Sequence, residues 1–348
     1  MAEVKVAILG LERTGASFGL ALKRYMQGKE ARHTFTIVGH DERDYNVKHA
    51  RSAGAIDSSA RGPVEAVAGA HIVILAEHYY RVEKLYQAVG PALNPGTVIL
   101  DFSPLKRPSI RWAAETLPAD AEAAAYLVGV TPILNPDVLF EANSEVEAAR
   151  ADLFDGGTFI VTPAADCPAE AVDLAAEVAR IVGADVHFMD PDEHDGLIAA
   201  MEGLPAALSL ALFQTLIRSS GWSDLRRLAN PAFGLQTSLL RYQHPDSLWA
   251  LLQYNRENTA RHLSALIDNL TAIRDGLRED AEGLGLEALL ADAASRYEEW
   301  EGQRRANRWE KKGDEESVTT ASVLGTMGGM LFGRRPRKDS DEPGKKKL

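Results

Sequence analysis

The stretch VAILGLERTGASFG, residues 6–19, decides the fold of this chain. An apolar run ends at Gly10 and a helical pattern follows, as in the turn between the first strand and the first helix of dinucleotide-binding sheets. Gly10 and Gly15 stand at the first and third glycines of the pattern G-x-G-x-x-G. Glu12 stands at the second, where glycine normally lets the backbone approach a pyrophosphate. The stretch predicts a dinucleotide-binding turn, with the alternative that Glu12 itself fills the anion position.

The rest of the first half alternates short apolar runs with helical periodicity. Such alternation predicts a Rossmann-type, doubly wound α/β sheet over residues 1–190. The runs at 4–9, 35–39, 71–76, 97–102 and 126–131 predict buried parallel strands, with helices at 13–27, 44–53 and 80–90 between them. A further strand, helix and strand are predicted at 158–163, 168–182 and 184–190.

The second half predicts an all-α helical dimerisation domain over residues 191–302. Residues 197–217 are apolar on nearly every face, which is typical of a helix in a bundle or a subunit interface. Residues 247–277 carry helical spacing, and another helix is predicted at about 286–302. Because one helix has so few polar positions, we predict a homodimer. We find no uninterrupted apolar run of the length that spans a bilayer.

Composition narrows the class of protein. The chain has 348 residues, a net charge of −12 and one cysteine, Cys167. These values predict no disulfides, no cysteine-based zinc site and no nucleic acid partner. We see no signal peptide and expect a cytoplasmic protein.

The last segment, residues 303–348, has a charge of the opposite sign to the rest of the chain. It carries 12 basic and 7 acidic residues, which predicts a charged, disordered tail. Its apolar island at 322–333 is expected to dock on the body, with peripheral membrane contact as the less favoured alternative.

The cofactor prediction depends on the turn and on the end of the second strand. Asp41 follows that strand, where a carboxylate holds a ribose 2′-hydroxyl, so NAD is favoured over NADP. Arg43 is close enough to accept a 2′-phosphate instead, which leaves NADP open. The predicted cofactor contacts in the turn are Gly10, Arg13, Thr14 and Gly15.

The order of motifs resembles the prephenate/arogenate dehydrogenase family over most of residues 4–265. The motifs are HIVILA (71–76), LNPGTVILDFSPLK (93–106), GVTPILNP (129–136), VGADVHFMDPDEHDGLIAAMEGLP (182–205) and HPDSLWALLQYNREN (244–258). The resemblance implies oxidative decarboxylation of prephenate or arogenate with NAD or NADP in tyrosine biosynthesis. It also implies cofactor contacts at Ala76 and Ser103 and substrate contacts at Ser103, Thr131 and Arg241.

This sequence departs from the family at its catalytic positions. Thr131 precedes Pro132 where the family has a catalytic histidine, Pro104 replaces a serine, and Leu239 replaces a carboxylate-binding arginine. A threonine can hydrogen-bond a hydroxyl, but its pKa is too high for a general base.

Two histidines are candidates for the missing base. His194 matches the family's His-Asp pair, and His78 stands beside the expected nicotinamide position. We therefore take His194, His78 and Thr131 as candidate catalytic residues.

Three functional hypotheses follow. The first is a working prephenate or arogenate dehydrogenase in which another histidine serves as the base. The second is a dehydrogenase for a different hydroxy acid. The third is a catalytically degenerate homologue that acts as a binding or regulatory dimer, for which Glu12 in the phosphate turn is the main argument.

Overall fold

The computed structural model describes residues 2–118, 124–279 and 284–309, so the predicted apolar island at 322–333 lies outside the described residues. Its centre is an eight-stranded sheet of order β3-β2-β1-β4-β5-β6-β7-β8. All neighbouring strands are parallel except β6 and β7, which are antiparallel. The strands are β1 Ala2–Leu9, β2 His33–His40, β3 Ser58–Ser59, β4 Ile72–Leu75, β5 Val98–Asp101, β6 Tyr126–Ile133, β7 Thr158–Pro163 and β8 Asp185–Phe188.

Six helices cover the two faces of this sheet. They are α1 Arg13–Gln27, α2 Asp44–Ser52, α3 Pro63–Val67, α4 Tyr79–Val89, α5 Lys106–Thr116 and α6 Ala169–Ile181. One apolar layer, which includes Phe18 and Phe159, lies under α1, α2 and α6. The other, which includes Tyr86 and Trp112, lies under α3, α4 and α5. This confirms the predicted Rossmann-type α/β fold.

The remaining helices form the C-terminal region. They are α7 Pro191–Ile198, α8 Leu204–Ile217, α9 Trp222–Leu225, α10 Pro231–Thr237, α11 Leu239–Tyr242, α12 Pro245–Tyr254, α13 Arg256–Glu279 and α14 Leu284–Arg305. A π-helical turn, Ala199–Gly203, joins α7 to α8. Ile198, Ala250 and Leu251 enter the apolar layer of α3, α4 and α5, so the two regions share a core.

Two expectations about these helices need correction. Residues 247–277 are not one helix, because α12 ends at Tyr254 and α13 begins at Arg256. Asn255 between them donates from Nδ2 to the backbone oxygen of Asp195 at 2.6 Å.

The second correction concerns the helix that runs without a break over Pro191–Ile217. It is long and apolar enough to cross a membrane, although no such run was expected. Only 28% of its most apolar window is buried. Its first turns pack on α5 and β7 of the sheet domain.

Candidate functional site

The turn after β1 has the backbone that the sequence predicts. Gly10 has φ +93°, a conformation that favours glycine, and its N–H donates to the oxygen of His40 at 2.9 Å. A Cβ on Gly10 would lie 2.4 Å from the oxygen of Ala76, and one on Gly15 would lie 1.9 Å from the oxygen of Gly10. Both glycines are therefore required for the close approach of β1, α1 and β4. Thr14 follows in the first turn of α1.

Asp41 is buried behind this turn. Its Oδ2 accepts from the N–H of Leu11 at 2.8 Å and from Nδ2 of Asn46 at 3.1 Å, and its Oδ1 accepts from the N–H of Arg43 at 2.8 Å. The carboxylate thus ties the turn to the end of β2. Oδ1 keeps acceptor capacity for one more donor, which is compatible with the predicted ribose contact.

A cavity of about 220 Å³, here called the charged cavity, opens beside the turn. Glu12 on its wall pairs with Arg43, and its Oε1 lies 3.1 Å from Nε2 of His78. Arg81 pairs with Glu42 on the opposite wall. The complete lining is Glu12, Asp41, Glu42, Arg43, Glu77, His78, Tyr80, Arg81 and His244.

Arg13 is turned away from this cavity. Its guanidinium donates from NH1 to the oxygens of Glu141 and Asn143, both at 3.1 Å, and pairs from NH2 with Oε2 of Glu141 at 2.6 Å. Its N–H, at the start of α1, donates to the oxygen of Ser144 at 3.0 Å. Arg13 therefore anchors the segment that covers the start of α1, and its guanidinium is occupied where a cofactor contact was predicted.

A buried chain of hydrogen bonds lies where β6 meets α7. Thr131 Oγ1 lies 2.8 Å from Nε2 of His194, and Nδ1 of His194 lies 3.0 Å from Oδ1 of Asp195. The exposed fractions of Thr131, His194 and Asp195 are 7, 2 and 6%. The structure thus brings together two of the predicted catalytic residues, Thr131 and His194.

The protonation of His194 follows from its surroundings. Burial lowers the pKa of its imidazole, and the nearby charge of Lys106 acts in the same direction, against the hydrogen bond to Asp195. The ring is therefore neutral near pH 7. Because the Asp195 carboxylate accepts, Nδ1 carries the proton, and Nε2 accepts from the hydroxyl of Thr131.

Asp195 also joins α7 to the start of α5. Its Oδ1 accepts from the N–H of Lys106 at 2.8 Å, and its Oδ2 accepts from the N–H of Arg107 at 3.0 Å. These are free N–H groups of the first turn of a helix, whose partial positive charge stabilises a carboxylate. Asp195 is therefore fixed from two sides, which orients the ring of His194.

Lys106 is fully buried below this chain. Its Nζ donates to the backbone oxygens of Asp101 at 3.2 Å, Ser103 at 2.5 Å and Val130 at 3.0 Å. Burial lowers the pKa of its ammonium to about 8, against the charges of Asp101 and Asp195. The three bonds join the ends of β5 and β6.

Two buried hydroxyls nearby have no hydrogen-bond partner in the described residues: Ser103 Oγ and Tyr79 Oη. Burial raises the pKa of the Tyr79 phenol, and the charges of Asp101 and Asp195 add to that rise. Unpartnered buried hydroxyls at a site are positions where a ligand or an ordered water completes the hydrogen bonding.

The other predicted residues lie apart from this chain. His78 contacts Glu12, Tyr80 and His244, which places it on the charged cavity. Arg241 is exposed on α11 with its guanidinium 5.4 Å from the ring of Tyr242. In the described part of the chain it forms no ion pair.

Sequence reasoning missed the bonds that fix His194. Nothing in the spacing shows that Asp195 caps α5, since 89 residues separate it from Lys106. The adjacency of His194 and Asp195 was the available signal, because a carboxylate beside a histidine commonly orients its ring.

Family models match both halves of the chain. The prephenate dehydrogenase nucleotide-binding domain matches residues 18–188, a match that begins after the turn with Glu12. The prephenate dehydrogenase dimerization domain matches residues 190–291.

Individual relatives agree with these models. A prephenate dehydrogenase from Bacillus subtilis is 26% identical over 285 residues, covering 80% of this chain and 72% of the relative. A cyclohexadienyl dehydrogenase from Zymomonas mobilis is 25% identical over 207 residues, covering 60% of this chain and 65% of the relative. The fold resembles the crystal structure of prephenate dehydrogenase from A. aeolicus in complex with hydroxyphenyl propionate and NAD+. That likeness has a TM-score of 0.69 at 22% identity and covers 85% of this chain and 98% of the other.

Proposed function

The chain belongs to the prephenate dehydrogenase family of NAD(P)-dependent dehydrogenases, and we propose that it performs the oxidative decarboxylation of prephenate or arogenate in tyrosine biosynthesis. The observation that carries the proposal is the buried chain Thr131–His194–Asp195. This reaction needs a group that takes the proton of the substrate hydroxyl, and a neutral, oriented imidazole meets that need.

In this mechanism Thr131 passes the proton to His194. As the substrate hydroxyl gives its proton to Oγ1 of Thr131, Oγ1 releases its own proton to Nε2 of His194. Asp195, through Nδ1, stabilises the imidazolium that forms. Threonine thus serves as a relay and never as the base, which removes the objection of its high pKa.

The remaining chemistry is that of the family. Bound nicotinamide supplies the acceptor for the hydride that leaves the ring carbon bearing the hydroxyl. The substrate carboxylate departs as carbon dioxide, its bonding electrons aromatise the ring, and the resulting phenolate oxygen takes the proton back from His194 through Thr131. Ser103, with its unpartnered buried hydroxyl, is the proposed donor to the substrate. Arg241 is the proposed partner for a substrate carboxylate, because its exposed guanidinium makes no ion pair among the described residues.

For the cofactor, we infer NAD rather than NADP. The backbone of Gly10 to Gly15, Asp41 and the neighbouring Ala76 fit a dinucleotide, and the helix α1 begins beside them. Four carboxylates and two arginines line the charged cavity. This excess of negative charge disfavours the additional phosphate of NADP.

We also propose a homodimer formed by the helical region. Leu197, Met201 and Leu210 on the exposed helix are 49, 72 and 44% accessible, more than a lone subunit usually leaves on one helix. Met201→Glu with Leu210→Glu should yield monomers in analytical ultracentrifugation. The control is Phe140→Glu, at a site 65% exposed in the sheet domain, which should stay dimeric. With its apolar helix covered in this way, the enzyme is proposed to work in the cytoplasm.

The test is NAD(P)H formation by the purified full chain, with prephenate and arogenate each supplied with NAD⁺ or NADP⁺. We expect reduction of NAD⁺ with at least one of the two substrates. The absence of product with all four pairs would overturn the proposal.

One observation favours a second candidate, a dimer that binds a ligand without catalysis. Glu12 and the oxygen of Ser144 already occupy the start of α1, where the phosphates of a dinucleotide bind. Nucleotide binding without turnover of any hydroxy acid would support this candidate. Turnover of another hydroxy acid would instead identify a dehydrogenase with a different substrate.

A further inference from the structure

Glu12 places a negative charge where the chain most favours an external anion. It is the residue before α1, with φ −69° and ψ −170°, and its side chain is 20% exposed. The first N–H groups of a helix attract phosphate because they are unpaired and carry a partial positive charge. Glu12 is the N-cap residue of α1, but its carboxylate makes no capping hydrogen bond and instead contacts Arg43 and His78.

Other groups at this helix end are already bonded to the protein. The N–H of Leu11 donates to Asp41 at 2.8 Å, and the N–H of Arg13 donates to Ser144 at 3.0 Å. Arg43 and His78 face the charged cavity from this side, and both have Glu12 as a partner. An incoming pyrophosphate therefore competes with Glu12 for Arg43 and His78.

We propose that Glu12 is an internal competitor of the cofactor, and that the pyrophosphate of the dinucleotide displaces its carboxylate from Arg43 and His78. The exchange is feasible because the pair is open to solvent: 48% of the Arg43 side chain is exposed. Exposed ion pairs contribute about 0–1 kcal/mol, so the pair of Glu12 with Arg43 can be given up for a doubly charged ligand.

The exchange leaves two negative groups near each other. A carboxylate that stays beside the pyrophosphate repels it, and a carboxylate that rotates into solvent loses its partners. Either way Glu12 lowers the affinity for the cofactor, and it does so through the phosphates rather than the nicotinamide. This inference rests on the proposed function only in taking the turn at Gly10 as a dinucleotide site.

The experiment is calorimetric titration of the full chain with NAD⁺ and with ADP-ribose, which keeps the pyrophosphate but lacks nicotinamide. Glu12→Gln should tighten both dissociation constants by about tenfold, roughly 1.4 kcal/mol. Glu12→Ser, which introduces a good N-cap residue, should do the same. Glu145→Gln is the matched control, because this carboxylate lies 3.8 Å from the same Arg43 but is not the residue that precedes α1. It should change affinity less than twofold.

A second set of titrations tests whether the tighter binding of the Glu12 variants depends on the released Arg43 side chain. In an Arg43→Ala background, Glu12→Gln should tighten binding by less than about threefold, because the freed cation is absent. Unchanged or weaker binding in both Glu12 variants, with unaltered thermal midpoints, would overturn the inference. So would an equal gain from Glu145→Gln.

The two proposals fail in different ways. Tightened binding without turnover of prephenate or arogenate would contradict the dehydrogenase and support the role of Glu12. Turnover in the wild-type chain, with no change of affinity in the Glu12 variants, would contradict the role of Glu12 alone.

Discussion

The two halves of the sheet's carboxyl edge hold their side chains in different ways. At the ends of β5 and β6, buried groups such as Thr131, His194 and Lys106 have partners that only one arrangement can supply. At the ends of β1 and β2, partly exposed ions such as Glu12 and Arg43 pair side chain to side chain. Buried hydrogen bonds are costly to leave unmade, whereas exposed ion pairs exchange at little cost. The ends of β5 and β6, the buried half, are therefore built to fix a geometry. The ends of β1 and β2, the charged half, are built to admit a charged ligand.

The largest effect should come from the buried chain. His194→Gln removes the base and should lower kcat about a thousandfold, within the range of 10²–10⁴ for such catalysis. Thr131→Val should approach the same loss, whereas Thr131→Ser keeps the hydroxyl and should stay within about tenfold. Steady-state kinetics with the better substrate measure these values. The control is His187→Gln at an exposed histidine of β8, and full activity of Thr131→Val would disprove the relay.

Next in size is the loss of Lys106. Lys106→Met leaves three buried oxygens without their donor and should lower the free energy of unfolding by about 3 kcal/mol. Urea denaturation measures this difference. Lys84→Met, at an exposed lysine of α4, is the matched control and should change stability by less than about 0.5 kcal/mol. Equal effects of the two substitutions on the free energy of unfolding would mean that the hydrogen bonds of Lys106 do not stabilise the ends of β5 and β6.

The pH dependence of kcat should sharpen the comparison further. Burial and Lys106 lower the pKa of His194 from its usual 6.5, and the base acts when it is unprotonated. We therefore expect kcat to be constant above pH 7 and to fall with a midpoint below 6.5 as the pH decreases. A midpoint above 6.5, or a rate that rises toward acid, would contradict a buried neutral imidazole.

The smallest effect is expected in the charged half. Glu42 is 64% exposed in its pair with Arg81, so Glu42→Gln should change the free energy of unfolding by less than about 1 kcal/mol. Urea denaturation at low and at high salt checks this, because salt screens exposed pairs. A loss as large as that of Lys106→Met would remove the distinction between the two halves.

Most of the fold follows from the sequence because the spacing of its apolar residues matches the positions that are buried in the strands and helices. The run at 72–76 is apolar throughout, and β4 within it is buried on both faces. The pattern did not show that β7 runs antiparallel to β6, since a buried strand has the same apolar composition whichever direction it runs. The two-residue β3 carries no periodicity at all, and its serines are exposed.

The sequence predicted several residues of the candidate site, but it did not predict which of them contact each other. Thr131 and His194 were named as candidates, yet their contact depends on how α7 crosses the sheet. Arg13 was expected to face a cofactor, but Glu141 lies 128 residues away in sequence and gives no local signal. The departure at Glu12 was visible in the sequence alone, because a carboxylate at a glycine position is a local signal.

The contacts that join the two regions also set the order in which activity appears. Thr131 and His194 are 63 residues apart, and Lys106 and Asp195 are 89 apart. Contacts of such high sequence separation form late in folding, because the chain between them must first be closed into a loop. A refolding chain should therefore regain helical signal before it regains turnover. Turnover thus reports that the whole molecule has assembled.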